Sequence, residues 1–276
     1  MQRPWCIWCR GPHPPEQGTE TRSPRQFVVV GAGWHLTVTS VYLFRLADRV
    51  PTMAEWTDPM TDDDRREALL DLLGVLAYGE LIAFERLAED ARLAPTVSDK
   101  AALGAMAVAE FGHFRKLRDR ITQLGADPGK IMEPFVEPLD AFHDSTAPAD
   151  WLEGLVKAYV GDGIAADFYR EVAAYVDDHS RELVLDVLAD TGHAAFAVEH
   201  VRSAITADPA VAGRLALWAR RLVGEALVQA QRVAVDRDAL ARLIVGGTGD
   251  LAAVGELLAR LTQRHAERMA ALGLAA

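Results

Sequence analysis

The amino-acid sequence predicts an all-α fold: a bundle of four long helices with a long crossover between the second and third, plus additional C-terminal helices. Three observations carry this expectation. Half of the 276 residues are hydrophobic and a quarter are charged, alanine and leucine are abundant, and β-branched runs are few, a composition that favours helix. Apolar residues recur at helical spacing in four segments, each close to thirty residues and so about 40–45 Å long. The connections run short, long, short, so the outer pairs form antiparallel hairpins and the middle connection can run the length of the bundle.

Each element has its own signals. The first helix is predicted from about Asp63 to Arg92, with acids in its first turn and Pro95 closing it. The second follows Ser98, read as its N-cap, and ends near Gly125. Residues 126–147 contain three prolines and no sustained period, which makes them the crossover. The third helix starts near Pro148 and Asp150 and runs to about Asp177; the fourth occupies 180–207 and is stopped by Asp208-Pro209. A fifth covers 210–236, and a broken helical tail fills 238–273, interrupted at Gly246, Gly247 and Gly249. Upstream, residues 1–52 read as a poorly ordered N-terminal extension, and 53–276 as the folded domain, opening at Met53. The apolar run 27–44 carries a histidine, three Ser/Thr and two glycines, which argues against a membrane span.

Charge and cysteine content narrow the function classes. Residues 1–52 carry six Lys/Arg against three Asp/Glu; removing that +3 from the total of −11 leaves −14 for residues 53–276. An acidic body opposes wholesale binding of nucleic acid, and the small basic clusters Arg115-Lys116-Leu117-Arg118 and Arg220-Arg221 read as solvated helix faces. The only cysteines, Cys6 and Cys9, lie in the first ten residues, so the body has no disulfide framework and suits a reducing, cytoplasmic setting.

Chemistry enters through an internal repeat. "AEFGHF" (109–114) in the second predicted helix matches "ADTGHA" (189–194) in the fourth, aligning Glu110 with Asp190 and His113 with His193. "YGELIAFE" (78–85) in the first matches "VGDGIAAD" (160–167) in the third, aligning Glu80 with Asp162 and Glu85 with Asp167. The acids interrupt apolar stripes: Glu80 lies between Leu76 and Phe84, Glu110 between Met106 and Leu117, Asp162 between Tyr159 and Ala166, Asp190 between Val187 and Ala194. Residues three apart share a helix face, so each acid-x-x-His pair points both side chains one way. Four carboxylates buried together are untenable unaided. Two divalent metals would supply the four compensating charges, and carboxylates with one imidazole per metal suit iron or manganese.

On these residues the chain resembles the ferritin-like carboxylate di-iron superfamily, whose pattern is Glu, then Glu-x-x-His, twice over. Residues 62–275 also look like an actinobacterial group of ferritin-like-fold proteins, grouped with the tRNA hydroxylase that acts on methylthio-isopentenyladenosine. The resemblance implies a ferritin-like four-helix bundle and a metal set of Glu80, Glu110, His113, Asp162, Asp190 and His193. Glu80 and Asp162 would be single carboxylate ligands, Glu110 and Asp190 bridging or chelating ones, and the histidines the nitrogen ligands of two iron ions, with manganese as the other candidate metal. It further implies an oxygen-dependent hydroxylase or oxidase acting on a small molecule or a modified nucleoside, with tRNA as a partner that the acidic charge opposes. Ferroxidase activity, a scaffold with a degenerate metal site, and homo-oligomerisation are alternatives of the same lineage. Both second-half acids are Asp where the pattern has Glu, one methylene shorter. Gly161 and Gly163 would let the third helix move inward to compensate, or would merely ease helix packing. Asp167 is an alternative ligand to Asp162. Tyr159 and Tyr169 read as core aromatics, and Glu199-His200 as surface.

Overall fold

Thr61 begins the first helix with a capping box: its hydroxyl accepts from Asp64 N at 3.1 Å while its own N–H donates to Asp64 Oδ2 at 2.8 Å. The structure, a computed structural model, describes residues 60–189, 193–248 and 251–276, all within Arg49–Ala276, the second of two units into which the chain divides. The extension expected over 1–52 lies outside the described residues. Helix α1 (Asp62–Asp90) turns back through a short loop into α2 (Val97–Gln123), and the two pack along most of their length. The cap of α2 is Thr96, whose hydroxyl accepts from Asp99 N at 3.1 Å; Ser98, the predicted cap, lies inside the first turn.

The crossover is itself a helix, α3 (Pro128–Ser145), where no regular element was predicted. Its prolines concealed it, since an interior proline removes one ladder hydrogen bond and costs about 3 kcal/mol. Two features oppose that cost. Pro128 sits in the first turn under an Asp127 cap, where its missing N–H does no harm. Phe135 is fully buried, and the helix comes close against α1 at Gly74: a Cβ there would lie 2.6 Å from the Ile131 carbonyl oxygen and 2.7 Å from Ile131 Cγ2. Further along, the Tyr78 hydroxyl donates to Asp140 Oδ1 at 2.6 Å.

Asp150 caps α4 (Trp151–Val172), which ends in a short 3-10 turn, Ala173–Tyr175. The fourth predicted helix is divided into α5 (Asp178–Val187) and α6 (His193–Ala207). Arg170 of α4 donates to the Leu188 carbonyl, the group that residue 192 would bond in an unbroken helix. Residues 190–192, "DTG", lie outside the described residues and are all weak helix formers. The remaining helices are α7 (Ala210–Asp236), α8 (Asp238–Thr248) and α9 (Leu251–Leu272). Helix α7 packs on α3 and α4, α8 on α1, and α9 on α4 and α6. Their polar anchors include Trp218 Nε1 donating to the Glu153 carbonyl at 3.0 Å and a buried Arg237–Asp71 ion pair. Among the described residues no helix is long and apolar enough to cross a membrane.

These helices enclose two apolar cores rather than one. The first joins Leu87 of α1, Leu103 and Ala107 of α2, Leu155 to Val160 of α4, Ala197 and Val201 of α6, and residues of α7 and α9. The second joins Ala68 to Ala77 of α1, Phe114 to Ile121 of α2, Val172 of α4, Val184 and Val187 of α5, and residues of α8. On each long helix the gap between the two cores coincides with the predicted polar residues: Glu80, Glu110 with His113, Asp162 with Asp167, and His193.

Two outcomes test this packing. Gly74→Ala should destabilise the fold by about 1–3 kcal/mol in urea denaturation, because overpacking against Ile131 outweighs the roughly 1 kcal/mol gain in helix propensity. His143, on α3, is buried beside Lys157 and Arg86, and burial followed by those charges lowers its pKa to about 3. Its folded pKa lies below the unfolded value, so the native state binds fewer protons between about pH 3 and 6.5, and stability is lost as pH falls through that window. Stability measured against pH should show His143→Phe gaining on the wild type as pH falls below 6.5, by at most about 1.4 kcal/mol per unit.

Candidate metal centre

Helical geometry brings Glu80 of α1 and the Glu110–His113 pair of α2 together between the two cores. One ligand atom from each of the three lies within 4.8 Å of the others. His113 Nδ1 stands 3.3 Å from Glu110 Oε2 and 3.4 Å from Glu80 Oε2. The other oxygen of Glu110, Oε1, faces His193 Nδ1 at 3.3 Å. Glu110 therefore lies between two imidazoles, one from each predicted acid-x-x-His motif. Glu80 Oε2 is buried and accepts no hydrogen bond, an orphaned oxygen of the kind a metal satisfies.

The electrostatics follow from burial. Desolvation, reinforced by the Glu110 charge, pushes Glu80 well above the usual carboxylate range. Burial acts on Glu110 in the same direction, but hydrogen bonds with His113 and His193 outweigh it and hold Glu110 low. The adjoining carboxylates of Glu110 and then Glu80 raise His113 to about 9. Without metal, burial thus drives Glu80 toward its neutral form while the neighbouring carboxylates favour a proton on His113.

The second half of the predicted set is arranged differently. Asp162 of α4 is reached by solvent, yet the surrounding protein raises its pKa to about 7, with Glu110 adding to the rise and His193 and Lys157 opposing it. Asp162 stands outside the close group of Glu80, Glu110 and His113. His193 lies in α6, and residues 190–192, Asp190 among them, lie outside the described residues.

The alternatives weighed from the sequence resolve in particular ways. Asp167 is not free to act as a ligand: its carboxylate pairs with Arg268 and lies 3.4 Å from Arg170 and 3.8 Å from Arg264. Gly163 does not serve an inward shift of α4. It makes room for Arg268, since a Cβ there would lie 2.7 Å from Arg268 Cδ, and the Arg268 guanidinium donates to the Gly163 carbonyl at 3.0 Å. Gly161 has nothing within 4 Å of the Cβ position. Tyr159 and Tyr169 pack on the two cores as expected, and Tyr169 is close enough to Glu80 for that charge to add to the burial that raises its pKa. Glu199 is exposed as expected, while His200 is half-buried: its Nε2 bonds Asp99 Oδ1 at 3.0 Å and its ring lies against Phe196. Lys157 was missed. It is buried, donates to the Thr146 carbonyl at 2.9 Å and acts on Asp162. Its one signal was a lysine within the apolar stretch Leu155-Val156-Lys157-Ala158.

Long antiparallel helices, a helical crossover and inward carboxylates with histidine at i, i+3 define a protein of the ferritin-like class. The profile of the family described as a ferritin-like domain of actinomycetes matches residues 63–247, and the chain belongs to that family. A search of curated proteins finds no match.

Because burial pushes the Glu80 carboxyl toward its neutral form, Glu80→Gln should preserve or raise the melting temperature of the metal-stripped protein while abolishing tight metal binding. A drop in melting temperature would show that Glu80 is ionised and paired there.

Proposed function

We propose that the chain is a di-metal oxidoreductase of the ferritin-like class, with iron as its metal, that uses dioxygen to hydroxylate or oxidise an organic substrate. The observation that carries this reading is the buried Glu80–Glu110–His113 group, whose ligand atoms lie within 4.8 Å of one another and whose Glu80 oxygen has no hydrogen-bond partner. Carboxylate and imidazole donors in this ratio suit iron or manganese. On this reading Glu80 and His113 hold one metal, His193 and Asp162 the other, and Glu110, facing both histidines, spans them; Asp190 completes the set by its place in the repeat. Two ferrous ions would supply the electrons that reduce dioxygen.

The protein's own residues set the conditions for that chemistry. Glu80 and His113 must give up their protons when metal binds, so loading releases protons and strengthens with rising pH. The apolar cores on both sides exclude water from the layer. Asp162 is exposed to solvent, and on this reading it offers the side from which ligands would reach the site. The likeness to the tRNA hydroxylase group suggests a small molecule or a modified nucleoside as substrate. The charge of −11 favours a nucleoside or small molecule over extensive contact with a tRNA backbone.

A second reading is iron oxidation without an organic substrate, favoured by that same solvent-reached carboxylate, which can serve an incoming cation. The test is anaerobic Fe(II) loading of the metal-stripped protein followed by exposure to dioxygen, with iron content, absorption and products measured. The expected result is about two irons per chain, lost in Glu110→Ala, with oxygen consumed. Iron turnover without any organic product across a panel of nucleosides and small molecules would select the second reading. A protein that takes up no iron, and whose melting temperature is the same with and without chelator, would overturn both.

A further inference from the structure

Directly behind the metal layer, the outer face of α2 carries exposed apolar side chains. Val108 and Glu110 are two residues apart on a continuous helix, about 200° of rotation, so they point to opposite sides of α2. Glu110 is buried, while Val108 is 69 % exposed and Phe111 38 %. Gly112 leaves open space beside them, with nothing within 4 Å of a Cβ position. Phe111 is backed by two further rings, Phe84 at 5.2 Å and Phe114 at 5.6 Å between centroids, which fix its place at the surface.

The following turns of α2 are basic, in a chain whose net charge is −11. Arg115 is exposed on the same face as Val108 and pairs with no acid among the described residues. Lys116 and Arg118 flank it, each paired at 2.7 Å, with Asp186 and Asp119 respectively. An apolar centre with a polar rim is the pattern of a protein-binding surface, and the unpaired Arg115 asks for an acidic occupant. At physiological salt, charges act over only about 8 Å, so an occupant meets these cations rather than the acidic remainder of the chain. Size sets the kind of contact. From Val108 to Arg118 the helix rises about 15 Å and is about 10–12 Å across. That face offers on the order of 200 Å², far below the roughly 800 Å² per partner of a stable complex, and suits the brief encounters of electron-transfer proteins rather than a permanent dimer.

We infer that this patch is the docking surface for an acidic electron-carrier protein that supplies the proposed metal site with electrons. The inference rests on the oxidoreductase reading above and names its partner. Hydroxylation by dioxygen places one oxygen atom in the product and reduces the other to water, which takes up two electrons and two protons per turnover. The carrier is the source of those electrons. Seated on Val108, Phe111 and Arg115, it stands one helix thickness, about 10–12 Å, from the inward side of α2 that bears Glu110 and His113.

An acidic plant-type ferredoxin is the probe. Added to the isotope-labelled, metal-stripped full chain, the oxidised ferredoxin should shift the amide resonances of residues 108–118, and Arg115→Glu or Val108→Asp should remove that effect. Stopped-flow reduction of the oxidised, iron-loaded chain by reduced ferredoxin should slow by about tenfold or more in either variant and with added salt, because a rim charge acts on the association rate. Dithionite, which needs no docking surface, should reduce the variants and the wild type at equal rates. Resonance shifts elsewhere or none at all, variants that leave ferredoxin-driven reduction unchanged, or an equal slowing with dithionite would overturn the docking surface. So would the same shifts produced by a tRNA, which would mark the cations as phosphate ligands, or a stable dimer that Val108→Asp dissociates. Ferredoxin that docks at residues 108–118 of a chain taking up no iron would overturn the metal reading while the surface is retained.

Discussion

The constraint on which the structure depends is the cost of placing carboxylates between two apolar cores. An ionised carboxylate removed from water without a partner costs several kcal/mol or takes up a proton. Here that cost is concentrated at one height of the bundle, where Glu80 and Glu110 interrupt the apolar stripes of α1 and α2. The response of each group is legible in its protonation. Two histidines facing Glu110 favour its ionised form, while burial pushes Glu80, with one oxygen left without a hydrogen bond, toward the neutral form. The layer is therefore satisfied only in part by the protein alone. It exists because the two cores above and below are extensive enough to hold the helices together around it.

The remaining charges inside the fold are handled in a different way, and the contrast identifies the site. Asp71 is buried but pairs with Arg237, Glu153 pairs with Arg214, and Asp167 pairs with Arg268. Each of these acids meets an arginine delivered from the C-terminal third of the chain. The layer acids meet histidines, whose charge depends on protonation and which can also serve as metal ligands. Helices α7 to α9 thus do more than cover apolar surface. They neutralise the acids that are not wanted for chemistry and leave the layer acids without a permanent counter-ion. Breaking a buried pair by removing one partner leaves an uncompensated charge, at a cost of about 3–5 kcal/mol, so these arginines hold the neighbourhood in register.

Much of the fold was legible because amphipathic period and capping chemistry are local. The spans of α1, α2 and α7 follow from runs of apolar residues bounded by Thr, Asp, Gly and Pro. Helix α3 was not legible because Pro134 and Pro138 argue against a helix locally, while the burial of Phe135 over Gly74 that favours it is a tertiary contact sixty residues away. The site divides in the same manner. Glu80, Glu110 and His113 could be placed together because an i, i+3 pair and a repeat at matched heights are features of the sequence. The capture of Asp167 by Arg268 could not be foreseen, since nothing local links two residues 101 positions apart.

The repeat itself shows where that kind of inference ends. Glu110-x-x-His113 and Asp190-x-x-His193 have the same spacing, but spacing fixes a shared face only where the helix is continuous. Helix α2 is continuous across its motif, and there the histidine and acid point into one layer, 3.3 Å apart. Of the second motif only His193, in α6, lies among the described residues, so the i, i+3 relation to Asp190 is not part of the described structure. His193 nevertheless reaches Glu110 of the other motif at 3.3 Å. Its place in the layer is therefore a tertiary outcome, set by how α6 packs against α4 and α9. The first motif is set by its own helix, and the described residue of the second, His193, meets it through the packing of neighbouring helices.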